Sequence, residues 1–238
     1  GLPYRKPTNN KVPRYTIACK LKGPHVVSKI SCSAFHTAFL TENGVLYAFG
    51  SNSQGQCGHE GLKWESLVEW TPRIVSSVSD RRLTCLSTGA NHTLASDGDL
   101  TFLFGFGSPI MKSFNIKNKL PKNYETFGVH DPSVIQLASG SQQFLVLTDC
   151  NHIFSYINGK DKSPSVVNSV NCPSQISQIV CDEENNYILS QNGVLFQFHN
   201  SDRNKLKRIP MSQRLTQFAV CKTHSLALDD CDSDTGNI

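Results

Sequence analysis

A stretch of roughly twenty residues recurs along this chain, and self-similarity at a period of a few tens of residues dictates architecture before any local motif does. The first copy runs from Ser31 through Phe35-His36-Thr37-Ala38-Phe39-Leu40-Thr41 to Tyr47-Ala48-Phe49-Gly50. Further copies span Ser87 to Gly105, Ala138 to Ile157 and Val180 to His199, and a shorter one, Ala219 to Asp229, carries His224-Ser225-Leu226-Ala227-Leu228. One repeat column holds His36, His92, Gln143, Asn185 and His224, and its spacing shortens along the chain.

Each copy contains alternating apolar runs, the pattern of strands buried on one face. The first runs are Val27 to Cys32, Leu83 to Ser87, Val134 to Ala138, Ile176 to Cys181 and Leu215 to Val220. A second and a third run flank the turns Glu42-Asn43-Gly44, Asp97-Gly98-Asp99, Asp149-Cys150-Asn151 and Gln191-Asn192-Gly193. Asn-Gly and Asp-Gly supply the positive φ of a tight two-residue hairpin, so each pair is read as an antiparallel hairpin. A weaker fourth run is expected at Arg73-Ile74-Val75, near Tyr124 to Phe127, at Ser165-Val166-Val167 and at Lys207-Arg208-Ile209. Pro72, Pro164 and Pro210 beside three of these runs suit edge strands, which need not donate every ladder hydrogen bond. Four antiparallel strands per repeat make a propeller blade. The best helical candidate is Leu62 to Trp70, inside a loop.

The segment Ser33 to Gly58, ending Gly50-Ser51-Asn52-Ser53-Gln54-Gly55-Gln56-Cys57-Gly58, resembles the repeat of the regulator-of-chromosome-condensation family. The second copy matches through Gly107; the third and fourth lack the histidine and the trailing glycines. The resemblance implies an all-β fold, a β-propeller of four-stranded antiparallel blades, in a family whose members usually have seven. About five are visible here, and the expectation is one domain over residues 1–238, with a basic arm at 1–14 and an acidic tail at 229–238. The stretch Tyr15 to Leu21 alternates like an orphan strand, and pairing it with the last copy would remove the open edges of the ring.

Composition narrows the function classes. The chain has 38% hydrophobic residues and a mean hydropathy of -0.29, with no apolar run long enough to span a bilayer as a helix. Nine cysteines, scattered through strand-like segments such as Cys19, Cys32, Cys85, Cys181 and Cys221, read as reduced buried residues of a cytoplasmic or nuclear protein. The net charge of +4 is below that of a dedicated nucleic-acid binder. Lysines and arginines nonetheless gather at Lys6 to Lys22, at Lys112 to Lys122 and at Lys205, Lys207, Arg208 and Arg214.

Residues able to do chemistry fit the repeat better than a catalytic site. Histidines recurring in one column are expected to bond the backbone of the preceding turn, with Gln143 and Asn185 as polar substitutes. Phe49, Phe104, Tyr156 and Phe198 are expected as core aromatics between blades. Cys57-Gly58-His59 and Cys150-Asn151-His152 lack the Cys-x-x-Cys partner of a zinc site, so no metal and no cofactor is expected. Asn91-His92-Thr93 spells a glycosylation acceptor at a buried repeat position, and Gly105-Phe106-Gly107 lacks the context of a phosphate loop. No nucleophile elbow stands out, and the chain is read as a non-enzyme.

Recognition is therefore expected from segments outside the repeat. Lys63 to Trp70 holds both tryptophans, Trp64 and Trp70, in one expected loop, followed by Arg73, Arg81 and Arg82. Tryptophan and arginine are the types most enriched at binding hot spots. Lys112 to His130 is expected as a second long polar loop. The functional expectation is a non-catalytic protein-interaction scaffold. The family resemblance implies guanine-nucleotide exchange on a small GTPase as the alternative, and the basic segments suggest chromatin or nucleic acid as a third partner class.

Overall fold

A computed structural model describes residues 26–59, 67–106, 108–116, 131–161, 165–167, 175–221 and 223–229. Strands β1 (Val27–Cys32), β2 (His36–Thr41), β3 (Leu46–Ser51) and β4 (Val68–Ile74) form the first antiparallel sheet. The second holds β5 (Cys85–Thr88), β6 (His92–Ser96), β7 (Leu100–Gly105) and β8 (Ser108–Asn115), and the third β9 (Val134–Ser139), β10 (Gln143–Thr148), β11 (Ile153–Ile157) and β12 (Ser165–Val167). A fourth follows with β13 (Ile176–Cys181), β14 (Asn185–Ser190), β15 (Leu195–His199) and β16 (Asp202–Arg208), and then a pair, β17 (Leu215–Val220) and β18 (Ser225–Asp229). The strands of every sheet lie in chain order, the meander of a propeller blade.

The second strands of the first three blades are buried along their length, polar members such as His36, Thr37 and Thr41 included. Every residue of β2, β10 and β11 is buried, as is all of β6. The hairpin turns differ from the tight type expected. Gly44 takes φ +77° while Asn43 keeps a negative φ, with Gly44 N–H bonding Thr41 O at 2.8 Å and Thr41 N–H bonding Val45 O at 3.0 Å. This is a longer loop with one left-handed position, which needs a single glycine or asparagine. Asn151, at φ +63°, fills that position in the third blade.

The first strands lie side by side, β1 by β5, then β9, β13 and β17, and so form the inner wall. Glutamines stitch them together: Gln136 Oε1 accepts from Ile179 N at 3.0 Å, and Gln178 Oε1 accepts from Phe218 N at 2.9 Å. Apolar clusters fill each junction. Leu40 and Leu46 of the first blade pack with Phe102 and Phe104 of the second; Cys85, Leu94 and Leu103 pack with Phe144 and Phe154 of the third. Leu145 and Ile153 meet Ile179 and Phe198, and Leu189 and Leu195 meet Leu215 and Phe218. The aromatic column Phe49, Phe104, Tyr156, Phe198 is buried throughout.

The two ends of the array are uncovered among the described residues. Ile30 on β1 is 65% exposed and Leu226 on β18 is 70% exposed, whereas the equivalent Leu137 and Ile179, and Leu94 and Leu145, are buried at internal junctions. The expected closing strand Tyr15 to Leu21, the basic arm and most of the acidic tail lie outside the described residues.

Three expectations are corrected. The fourth strand of the second blade is Ser108–Asn115, directly after the aromatic strand, and Tyr124 to Phe127 lies outside the described residues. Lys112 to Ile116 is consequently not loop: Phe114 stacks on Phe144 with ring centroids 5.7 Å apart, and Ile116 is buried. Trp70, expected in a loop or short helix, sits in β4, which pairs with β3.

Candidate partner-binding surface

The antiparallel register sorts every connection to one of two faces. Val27 pairs with Thr41 and Tyr47 with Ile74, so the β2–β3 turn, the start of β1 and the end of β4 share one end of the blade. The linkers between blades emerge there, on what we term the turn face. The opposite face carries the turn from β1 to β2 and the segment 51–59 after β3.

This sorting divides the sequence-predicted residues. Trp64 lies outside the described residues. Trp70 and Arg73 are on β4, the outermost strand of the first blade, where Trp70 and Ile74 are exposed, as is Leu67 just before it. Arg73 is held by Glu69 at 3.2 Å, and Arg81 by Asp97 at 3.3 Å and Asp80 at 3.7 Å. Arg82, by contrast, is exposed on the turn face against the Gly44 turn, whose preceding neighbour in the ladder is fixed by Leu83 N bonding Gly44 O at 3.0 Å. Arg214 repeats this placement one array-length away: it is exposed against the Gly193 turn, and Leu215 N bonds Gly193 O at 3.1 Å. Lys205, Lys207 and Arg208 are exposed on β16, with Arg208 opposite Phe196 and Lys207 opposite Gln197.

The structure thus gathers Arg82, Arg208 and Arg214 onto the turn face and leaves Trp70 with Arg73 on the rim. No described carboxylate pairs with Arg82, Arg208 or Arg214. Sequence reading missed Ile209, Met211, Ser212 and Gln213, which lie beside the two C-terminal arginines. Their signal was the irregular stretch between two strand-like runs.

The histidine column is structural, with partners other than those expected. His36 Nδ1 bonds Ser33 Oγ at 2.8 Å, and its Nε2 reaches Thr93 Oγ1 in the second blade at 2.7 Å. Thr93 Oγ1 in turn donates to Gln56 O at 2.7 Å. The bonds therefore go to side chains and across blades instead of to the preceding backbone. Gln143 does bond backbone, but that of the next blade, donating from Nε2 to Asp182 O at 2.6 Å. His92 stacks on Phe106 with centroids 4.2 Å apart, and neither ring nitrogen makes a hydrogen bond. Burial lowers His36 to a pKa of about 4, and burial together with the neighbouring His36 lowers His92 to about 3. Both are neutral at physiological pH. His224 differs again: it is exposed, with Nδ1 3.2 Å from Cys221 Sγ.

The remaining candidates for chemistry are also accounted for by neighbours. Cys57 donates to Ser51 O at 3.3 Å, and burial, then Glu69, pushes its thiol up to about 12. His59 lies between Glu69, 3.4 Å from Nδ1, and Arg73 O, 3.3 Å from Nε2, and burial lowers its pKa despite the carboxylate. Among the described residues no three His, Cys, Asp or Glu side chains converge to hold a metal. His92 and Thr93 of the Asn-x-Thr triplet are buried, and no helix of the described residues is long and apolar enough to cross a membrane.

Comparison with known proteins follows the same lines. The Regulator of chromosome condensation (RCC1) repeat matches residues 27–56 and again 43–96. Over 138 residues the chain is 29% identical to the RCC1 domain-containing protein RUG3, mitochondrial, of Arabidopsis thaliana, covering 57% of this chain and 30% of that protein. The fold superposes on human WBSCR16 with a TM-score of 0.75 at 18% identity, covering 94% of this chain and 64% of the other. It also superposes on Prp20p of Saccharomyces cerevisiae with a TM-score of 0.66 at 15% identity, covering 89% and 58%. The chain therefore spans less than two thirds of the length of these relatives. The strand order, the blade junctions and the two matched repeats together show a β-propeller that carries RCC1-type repeats over residues 27–96.

Proposed function

We propose that this chain is a non-catalytic protein-interaction scaffold that holds a macromolecular partner through the turn face and the rim of its first blade. The observation that carries the reading is the division between satisfied and unsatisfied groups. His36, the core aromatics and the glutamines are consumed in joining blades. Arg82, Arg208 and Arg214 are exposed on the turn face without a described carboxylate. Apart from that division, Trp70 is engaged by a neighbour yet 38% exposed on the outermost strand. Rigid presentation of arginine and tryptophan lowers the ordering cost of association, which is why these types dominate hot spots.

The test is affinity purification of the full chain with identification of co-purifying proteins, repeated with Trp70→Ala and with Arg82→Gln. Loss of one partner set in either variant supports the reading; an unchanged set in both contradicts it. A second reading, guanine-nucleotide exchange, is favoured by the fold shared with Prp20p, a protein described for its binding to Gsp1p and histones. Its test is release of labelled nucleotide from a panel of small GTPases. Acceleration would replace the scaffold reading with exchange; no acceleration across the panel leaves the scaffold reading. A nucleic-acid partner would instead show binding that falls steeply with salt.

A further inference from the structure

The junction of the fourth and fifth blades opens a pocket of about 460 Å³ on the turn face. Its wall is the hairpin turn Asn192, Gly193, Val194, Leu195 on one side and the linker Arg208 to Arg214 on the other. Two features make it unlike the rest of the surface. It holds two guanidinium groups, Arg208 and Arg214, and no acidic residue lines it. Its other polar side chains, Asn192, Ser212 and Gln213, are all able to donate hydrogen bonds.

Among the other described arginines, Arg82 stands alone on its linker without a described carboxylate, and two are neutralised. At the first junction Arg81 is tied to Asp97 of the next blade, and on β4 Arg73 is tied to Glu69. The linker after β16 supplies arginines and no matching carboxylate. The pocket is also fixed in shape. Ile209 N bonds Leu195 O at 2.8 Å at one end and Leu215 N bonds Gly193 O at 3.1 Å at the other, so the chain is clamped immediately after each arginine. Between the clamps Met211 is 44% exposed, an adaptable apolar contact beside two planar cations.

We propose that this pocket binds an acidic segment of a partner protein, with Arg208 and Arg214 each receiving a carboxylate and Met211 covering an intervening apolar side chain. The inference rests on the scaffold reading and names the chemistry of its partner. Guanidinium offers a planar fork that matches carboxylate geometry, and a pocket of this volume accommodates a few side chains, not a folded surface. The mixed lining separates a peptide from a nucleic acid. A backbone of phosphates calls for a continuous basic track with stacking aromatics, and no described aromatic lines this pocket.

The experiment is fluorescence polarisation of the full chain with a labelled synthetic peptide of alternating glutamate and leucine, against its glutamine counterpart. The acidic peptide should bind, the glutamine peptide should not, and Arg208→Gln and Arg214→Gln should each weaken binding by roughly tenfold. Lys160→Gln, an exposed cation after β11 and outside the pocket, should bind as the unaltered chain does. Arg208→Lys and Arg214→Lys should weaken binding less than the glutamine variants, since charge remains while the fork is lost. Equal binding of the two peptides, wild-type binding by both glutamine variants, or displacement of the peptide by a single-stranded oligothymidine that itself binds more tightly would each overturn the proposal. If the pocket fails in this way while Trp70→Ala still loses a co-purifying partner, the scaffold reading survives without it.

Discussion

His36 Nε2 and Thr93 Oγ1 lie 2.7 Å apart across the boundary of the first and second blades, and Thr93 is the only hydroxyl joining that imidazole to Gln56 O. Both residues are buried, so water cannot replace either partner. Thr93→Val keeps the shape and removes the hydroxyl, leaving an imidazole nitrogen and a carbonyl unpaired. The expected loss is about 2–3 kcal/mol of unfolding free energy, because a buried polar group left without its bond costs about 1–3 kcal/mol. Urea denaturation of the variant checks it.

Stability should fall as pH drops below the ordinary histidine range. His36 and His92 have folded pKa values of about 4 and about 3, below the ordinary histidine value of 6.5, so the unfolded chain binds protons that the folded chain refuses. Their stabilising effect is fully present above pH 6.5 and is lost progressively as pH falls toward the folded values. Each histidine should contribute a slope of up to roughly 1.4 kcal/mol per pH unit in that window. Replacing His36 with glutamine, which stays neutral, should flatten the profile measured by denaturation between pH 6.5 and 4.

Glycine substitutions should separate conformational strain from steric closure. Gly193 has φ +74°, and an added Cβ would stand 2.7 Å from Arg214 Cβ and 2.8 Å from Leu215 N. Gly159 has φ +77° with nothing within 4 Å. Gly159→Ala should cost on the order of 1 kcal/mol from its left-handed backbone alone. Gly193→Ala should cost more, since the linker must also move. Paired thermal melts would show whether the two differ in this order.

The middle strands were legible because both their sides are covered, which favours apolar residues at nearly every position from Ala38 to Leu40 or Phe144 to Leu147, while the first strands show as alternating runs. Outer strands carry no such demand. Ser108–Asn115 has a proline, a lysine, two serines and an asparagine among its apolar residues, so its sequence reads as loop. Trp70 was misplaced for the same reason: Pro72, Glu69 and Arg73 are tolerated on an edge that pairs on one side only. The arginines were recognised as candidates, but their sorting depends on carboxylates distant in sequence. Asp97, which ties down Arg81, lies in another blade's turn, and nothing in the linear order distinguishes Arg81 from its neighbour Arg82. The histidine column was recognised as structural, whereas its partners required the second blade to be in place.

The central claim is that cohesion lies in the repeat columns between blades and recognition lies in side chains that the columns leave over. Its most direct test is one chain carrying Arg82→Gln, Arg208→Gln and Arg214→Gln, measured for both unfolding free energy and recovery of the partners that co-purify with the unaltered chain. The account predicts stability within about 0.5 kcal/mol of the original, as for surface substitutions away from packed sites, together with loss of partner recovery. Full partner recovery by the triple variant, with its fold intact, would contradict it.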